Sequence, residues 1–429
     1  MLGRIFDRVW HDERGNALMI LGAALPLLVG SAGLASDTIQ WTLWKRQLQR
    51  AADSAAIAGV YASLQGQTVA GAVDTDLFTN KATNLKLRNA VIILGGEPTI
   101  SYPPSTSHYS NAVKVALSFE KRLSFSSMFM ATPPVIKAEG VAGTVETGVY
   151  CVVSLEETGA TGITATGNGS INLGCGMITN STSMNAAIAT GSSQVTATPI
   201  AAVGDIQSST HWGTAELLPF TVKEADPFAT VVPPTFTACK GNDNKLSLNS
   251  SATPIDRSAD TGVVCFSDMN LNGEIKLGSA TYVIDGGNFG VGAQAKVSCT
   301  GCTIILTNSD PTSTDIGSVD ITAGAKITMS APDDATNPFD NILFYQDRRA
   351  QSGPSKVNKI NGNSESVFAG AMYFPSQQLD VNGTANLKFN CGQFVARNVN
   401  FSGNGGITNT CTGGYGDDSI KGRHVRLVG

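Results

Sequence analysis

The sequence predicts a mainly β protein hung on one long N-terminal helix. Three observations predict it. Ala17 to Ala35 is an uninterrupted apolar run behind a charged head. The remainder holds most of the 46 glycines of a 429-residue chain in which only 15% of residues are charged. Short apolar runs recur there between Gly, Asn and Ser turns, as strands do. The expected architecture is a transmembrane helix and helical stalk, a small α+β region, then a right-handed parallel β-helix, with a β-sandwich as the alternative. The expected domains are a cytoplasmic head (1–15), transmembrane helix and stalk (16–65), the α+β region (66–148) and a β-helix-like extracytoplasmic domain (149–429).

The apolar run is long enough to cross a bilayer. About 19 residues at 1.5 Å rise reach roughly 28 Å. Its expected anchor residues are Ala17, Leu21, Pro26, Leu28 and Leu34. Trp10 precedes the run, and Trp41 and Trp44 follow it, as membrane-interface aromatics do. Asp37 is the first charge beyond it. Gly22, Pro26, Gly30 and Gly33 fall near one helical face, where a second copy of the helix has room to approach, so a homo-oligomer through the helix is one expectation. The rival reading is a cleaved signal peptide with Arg4, Arg8 and Arg14 as its basic region. Two features oppose it: the run exceeds the usual ~7–15 residues, and the helical pattern continues past Gly33-Leu34-Ala35.

Lys and Arg are balanced about the run, so cysteine sets the orientation. All eight cysteines lie at or after Cys151. An even number in an extracytoplasmic region points to disulfides, which places the large C-terminal part outside. Sequential pairing is expected: Cys151 with Cys175, Cys239 with Cys265, Cys299 with Cys302, and Cys391 with Cys411. Cys299-Thr300-Gly301-Cys302 has the spacing of a redox motif but no surrounding βαβ pattern, so a turn staple is the better reading.

After the stalk, a helical segment is expected around Val73 to Arg88. Strands are expected at Ala90–Leu94, Ala112–Phe119 and Val135–Ala138, punctuated by Pro103-Pro104 and Pro133-Pro134. Beyond residue 149 the apolar runs include Thr281–Ile284, Thr303–Leu306, Asn341–Phe344, Gly370–Phe374 and Gln393–Ala396. Each is too short to bury a face alone. Stacking them as coils around a shared core is the natural solution, and it is the argument for the β-helix.

Glu13-Arg14-Gly15-Asn16-Ala17, the apolar run, and the stalk from Gln49 to Gly59 (Gln-Arg-Ala-Ala-Asp-Ser-Ala-Ala-Ile-Ala-Gly) resemble the N-terminal signature of TadE/TadG-like proteins. These belong to the tight-adherence apparatus that builds Flp pili in bacteria. The resemblance covers about residues 13–65, and loosely extends to 147. It implies a pilin-like α+β region, a single-pass inner-membrane anchor, a C-terminal part in the periplasm or at the surface, and other pilus components as partners. Processed pilins of the family generally carry Glu five residues after the cleavage point; here that position is Ile20, which implies a retained anchor as in TadG. Many TadG-like proteins hold a metal in an Asp-x-Ser-x-Ser motif. Cys151-Val152-Val153-Ser154-Leu155 occupies a comparable place without those residues, so no such site is expected. Residues 273–278, 282–287, 297–299 and 371–375 also resemble the β-helical part of some pilus-associated TadG-like proteins.

The expected function is a structural scaffold in pilus assembly and adhesion. The alternatives are a surface adhesin that binds a ligand or polymer itself, and a polysaccharide-degrading β-helix enzyme. A net charge of −5 gives no nucleic-acid footprint. The enzyme reading rests on Asp333-Asp334 with Arg348-Arg349. Adjacent strand residues point to opposite faces, so the Asp pair makes no dyad by itself. His11, His108, His211 and His424 are scattered. Asp268-Met269-Asn270-Leu271-Asn272-Gly273 matches half of a calcium loop, but its twelfth position is Ser279 and its flanks read as strands. No enzyme activity, cofactor or metal is expected.

Overall fold

The computed structural model describes residues 13–353, 356–411 and 420–429, with the side chains of the first helix described from Ile20. The chain divides into two units, residues 1–145 with 425–429, and residues 146–424.

The first unit is built on helix α1 (Glu13–Leu64). Pro26 lies within it. From Ile20 to Ala32 its side chains are mostly exposed, whereas from Gly33 onward one stripe is buried: Gly33, Asp37, Trp44, Leu48, Ala52, Ala55 and Gly59. The spacing of three, four and seven residues is that of one helical face. Helix α2 (Val69–Leu77) packs Val73 and Leu77 inward. Strands β1 (Thr99–Ser101), β2 (Ser110–Glu120) and β3 (Val135–Ser154) follow. The order β1-β2-β3 is antiparallel, with Ile100 opposite Val115 and Leu117 opposite Ala138.

Two local expectations fail here. The helical segment expected around Val73 to Arg88 ends at Leu77, after which Phe78 bridges Leu87. The strand expected at Ala90–Leu94 is not formed; Ile93 makes one isolated bridge to Lys86. Its alternation is real, since Ile92 and Leu94 are buried while Val91 and Ile93 are exposed. The pattern recorded burial, but no long partner lies beside it to build a ladder.

The second unit is a stack of short strands joined in parallel, with each strand generally paired to the one three places later. Three strands thus make one coil, and the stack has three sheet faces. On one face Tyr282, Ile304, Phe344, Met372, Phe394, Val152, Met177 and Ile200 stand in register. All are essentially solvent-free and fill the interior. Parallel pairing removes the β-sandwich alternative, whose sheets are antiparallel.

The stacking does not follow chain order. Leu387–Ser402 lies beside β3, with Phe394 opposite Val152 and Val399 opposite Ile163. Ile407–Thr410 lies beside Ser170–Asn172. The coils from residue 245 onward therefore run back to meet the first coil, residues 150–172, and the chain from Ile200 to Leu218 forms the far end. Ser209, Thr210, His211 and Trp212 close that end, with Trp212 buried and its indole donating to Gln207 O at 2.8 Å.

The turns explain part of the glycine content. Gly403, Gly167 and Gly191 stack on successive coils with φ of 118°, 96° and 80°. A Cβ on Gly191 would sit 2.7 Å from Gly167 O, so both conformation and space demand glycine.

Candidate functional site

Among the described residues one helix, within Ile20–Leu64, is long and apolar enough to cross a membrane. Leu21, Pro26, Leu28 and Leu34 are exposed on it. The side chain of Ala17, and Trp10 entirely, lie outside the described residues. Ser31 and Thr38 turn their hydroxyls back to Leu28 O and Leu34 O at 3.0 and 2.8 Å. Such bonds satisfy a hydroxyl without water.

Trp44 is buried within the first unit. It is 6% exposed and packs edge-on against Phe119 of β2, ring centroids 5.3 Å apart. Lys121 Nζ lies 5.5 Å above its ring. The buried stripe claims position 44 as it claims 37 and 48, and sequence spacing alone could not separate that from an aromatic belt. Trp41 is half-buried, and its indole nitrogen finds no hydrogen-bond partner. The small-residue face is also divided. Gly22 and Gly30 have open space, but the Phe125 ring occupies the place a Cβ on Gly33 would take.

The alanine-rich stalk is explained by close packing. Gly140 of β3 meets the helix where a Cβ would lie 2.6 Å from Ala52 O and 2.7 Å from Asp53 N. Only a small residue on the helix and glycine on the strand permit this approach. Gly59 in turn faces Val113, Val69 and Val73. Polar residues flank the seam. Gln49 donates to Glu139 O at 2.6 Å and to Asp53 Oδ1 at 2.8 Å, and Lys45 donates to Lys137 O.

In the body the eight cysteines are joined in sequential pairs: Cys151–Cys175, Cys239–Cys265, Cys299–Cys302 and Cys391–Cys411. Cys299 and Cys302 are both buried, inside the turn they staple. Asp268–Leu271 is a strand rather than a turn, with Met269 and Leu271 inward. Asp268 Oδ1 accepts from Asn288 N at 2.9 Å, an ordinary link between coils. Asp334 caps its own loop, accepting from Thr336 N and Oγ1 at 3.0 and 2.7 Å. Those donors hold its carboxyl below the usual carboxylate range. No group of three or more His, Cys, Asp or Glu among the described residues is placed to hold a metal.

The sequence reading missed a strap. Residues 219–244 join the far end of the stack (Leu217–Leu218) to the coil at its opposite end (Lys245–Leu248) and pack over one sheet face. There Val283, Ile305, Tyr345, Tyr373, Val395 and Val153 form an outward column that is buried nonetheless. Phe228, Val231 and Phe236 of the strap pack on it. Asp226 accepts from the Tyr373 hydroxyl at 2.7 Å and pairs with Arg348 at 3.3 Å. Tyr345 donates to Val231 O at 2.9 Å, as does Arg348 Nη1 at 2.8 Å. Arg348 also reaches Phe228 O and lies 5.1 Å above the Tyr373 ring. Burial pushes the Tyr345 phenol up to about 12 and raises that of Tyr373 further, where the Asp226 bond adds to burial. Arg349, its neighbour, pairs instead with Asp347 at 2.7 Å. The two arginines are thus structural clamps. The available signal was Asp226-Pro227 and Pro233-Pro234 in an otherwise turn-rich stretch.

These features define a helix-borne protein with an antiparallel head and a disulfide-stapled body of stacked parallel strands. Residues 15–63 match the family model for putative Flp pilus-assembly TadE/G-like proteins, so this segment is TadE/G-like. The match covers α1 through its close contact with β3. No curated protein and no solved structure matches the chain.

Proposed function

We propose that this protein is a TadG-like, membrane-anchored structural component of a Flp pilus assembly system. The observation that carries the reading is the TadE/G-like match over residues 15–63, a segment that is one helix with an exposed apolar N-terminal half and a packed C-terminal half. In this reading the apolar half spans the inner membrane and the body lies in the periplasm or beyond. Four disulfides support an oxidising compartment. The repeat of parallel pairings supports a right-handed parallel β-helix as the body's architecture. The role is scaffolding rather than catalysis, with other pilus components as partners along the long strand faces. Association of two anchor helices would use the open Gly22 and Gly30 face.

The test is an in-frame deletion scored for surface pili and for attachment to a solid surface. Loss of both is expected. Normal pili with lost attachment would replace the scaffold by an adhesin. Unchanged pili and attachment would overturn the pilus reading.

A further inference from the structure

The turn between β2 and β3 carries no charge from Leu123 to Ala131 and exposes its largest side chains. Met128 is 75% exposed and Phe129 71%, with Met130 also exposed. A soluble turn of this length would present polar residues; an exposed apolar cluster marks an interaction surface.

Its position on α1 identifies the partner. The turn is seated against the helix by two contacts. The Phe125 ring lies on Gly33, and Ser126 N donates to the buried Asp37 carboxylate at 2.6 Å. Gly33 is inside the apolar run and Asp37 is the first charge beyond it. The hairpin therefore reaches back along the helix from Phe119, which packs on Trp44, to Gly33. Eleven helical residues separate those points, roughly 16 Å at 1.5 Å per residue. Asp37 would otherwise be a bare carboxylate at the end of the span. The turn satisfies it with a backbone N–H and covers it, so apolar surface continues from the helix onto Phe129 and Met128. At the base of the hairpin cations outnumber carboxylates: Lys121 and Arg122 on one side, Lys137 on the other and Lys45 beside them on the helix, against Glu120 and Glu139. Arg122 closes the neck by donating to Ala131 O at 2.9 Å.

We propose that the 123–131 turn is a second membrane contact, inserting Met128, Phe129 and Met130 into the outer part of the leaflet that the helix leaves. The basic neck sits at the headgroups, where Lys and Arg favour anionic lipid. Two contacts, a span and an interfacial turn, fix the helix's tilt and rotation, which a single span leaves free. This proposal rests on the reading of α1 as a membrane span.

The test reconstitutes the full chain in vesicles of phosphatidylethanolamine and phosphatidylglycerol. The photo-crosslinker p-benzoylphenylalanine replaces Leu28, Phe129 or Tyr102 in turn. All three sites are exposed, so each variant folds. Tyr102 follows β1 at the opposite end of the sheet, since Ser101 pairs with Lys114. Lipid adduct at Phe129 within about twofold of that at Leu28, and none at Tyr102, is expected for a turn inserted to leaflet depth. Adduct at Leu28 with Phe129 as silent as Tyr102 overturns the second contact and leaves the span standing. No adduct at Leu28 overturns the span and this proposal with it. Crosslinking of Phe129 to a second copy of the chain in place of lipid also overturns it.

Discussion

Replacing Asp226 by alanine tests whether the strap is a structural clamp on the body. The substitution removes the acceptor of the Tyr373 hydroxyl, 2.7 Å away on a fully buried residue. A buried phenol left unpaired costs about 1–3 kcal/mol. The Arg348 pair at 3.3 Å is part-exposed on both sides and adds at most about 1 kcal/mol. The expected loss is therefore about 1–4 kcal/mol, a fall in Tm of roughly 2–7 °C for a unit of this size. Asp226→Asn keeps an acceptor for the phenol and loses only the charge, so it should cost about 1 kcal/mol. The assay is thermal unfolding of the full chain in detergent, alongside limited trypsin digestion read at Lys223 and Lys240. Asp226→Ala should expose the strap to cutting before the body unfolds. An unchanged Tm with native protection at both lysines would refute the clamp. Equal losses in the Asn and Ala variants would refute the assignment of the larger share to the phenol.

Other expectations follow from the same packing. Gly140→Val should destabilise the first unit by about 1–3 kcal/mol, because the new methyls meet the α1 backbone rather than a side chain able to turn aside; Gly96→Val, with open space around it, should be neutral in the same melting assay. Removing the Cys239–Cys265 link by double serine substitution opens a 26-residue loop and should cost about 3.5 kcal/mol, read as lost Tm and as trypsin cutting at Lys240. Burial alone would raise the Glu156 and Asp347 carboxyls, but Thr158 with Arg397, and Arg349 with Thr307, hold both below the ordinary range. Folded values below the unfolded ones give stability that is fully present above about pH 4.3 and is lost as pH falls through the folded values. Melting from neutral pH to about pH 3 should show this acid limb, and Glu156→Gln with Asp347→Asn should flatten it; an unaltered slope would show that other groups carry it.

How much could be read beforehand depended on whether burial was one-sided. The strands Ile342–Gln346 and Thr303–Thr307 are buried at every position, one side by the core and the other by Phe339 and the strap. That is why they read as continuous apolar runs, and why the runs located them. Glu274–Leu277 alternates exposed and buried, and its period of two was equally legible. What covers the outer side was not legible. The strap has no periodicity, and its anchors are single contacts between residues more than a hundred positions apart, such as Tyr345 with Val231. The helix was legible in its length but not in its environment. Trp44 and Asp37 each fit an interface by sequence, and only Phe119 and Ser126, brought by the β2–β3 hairpin, show them to be interior. The matched family segment was legible because close approach to Gly140 restricts residue type at Ala52 and its neighbours. The body imposes only inward and outward alternation, which many sequences satisfy.

The non-sequential stacking sets a folding problem that the disulfides answer. The first coil closes against the last: Ser154 Oγ donates to Arg397 O across 243 residues of chain. Until residues 387–410 arrive, β3, Ile163–Ala165 and Ser170–Asn172 have one open edge, and open parallel edges are slow to pair and prone to wrong pairing. The disulfides show the opposite economy. Their partners are 24, 26, 3 and 20 residues apart, none reaching across the closure. Each joins cysteines of one coil or of neighbouring segments, so each forms from chain already present. Cys151–Cys175 secures the first coil while it waits, and Cys391–Cys411 secures the coil that will meet it. A staple across the closure would instead have depended on the event it was meant to protect.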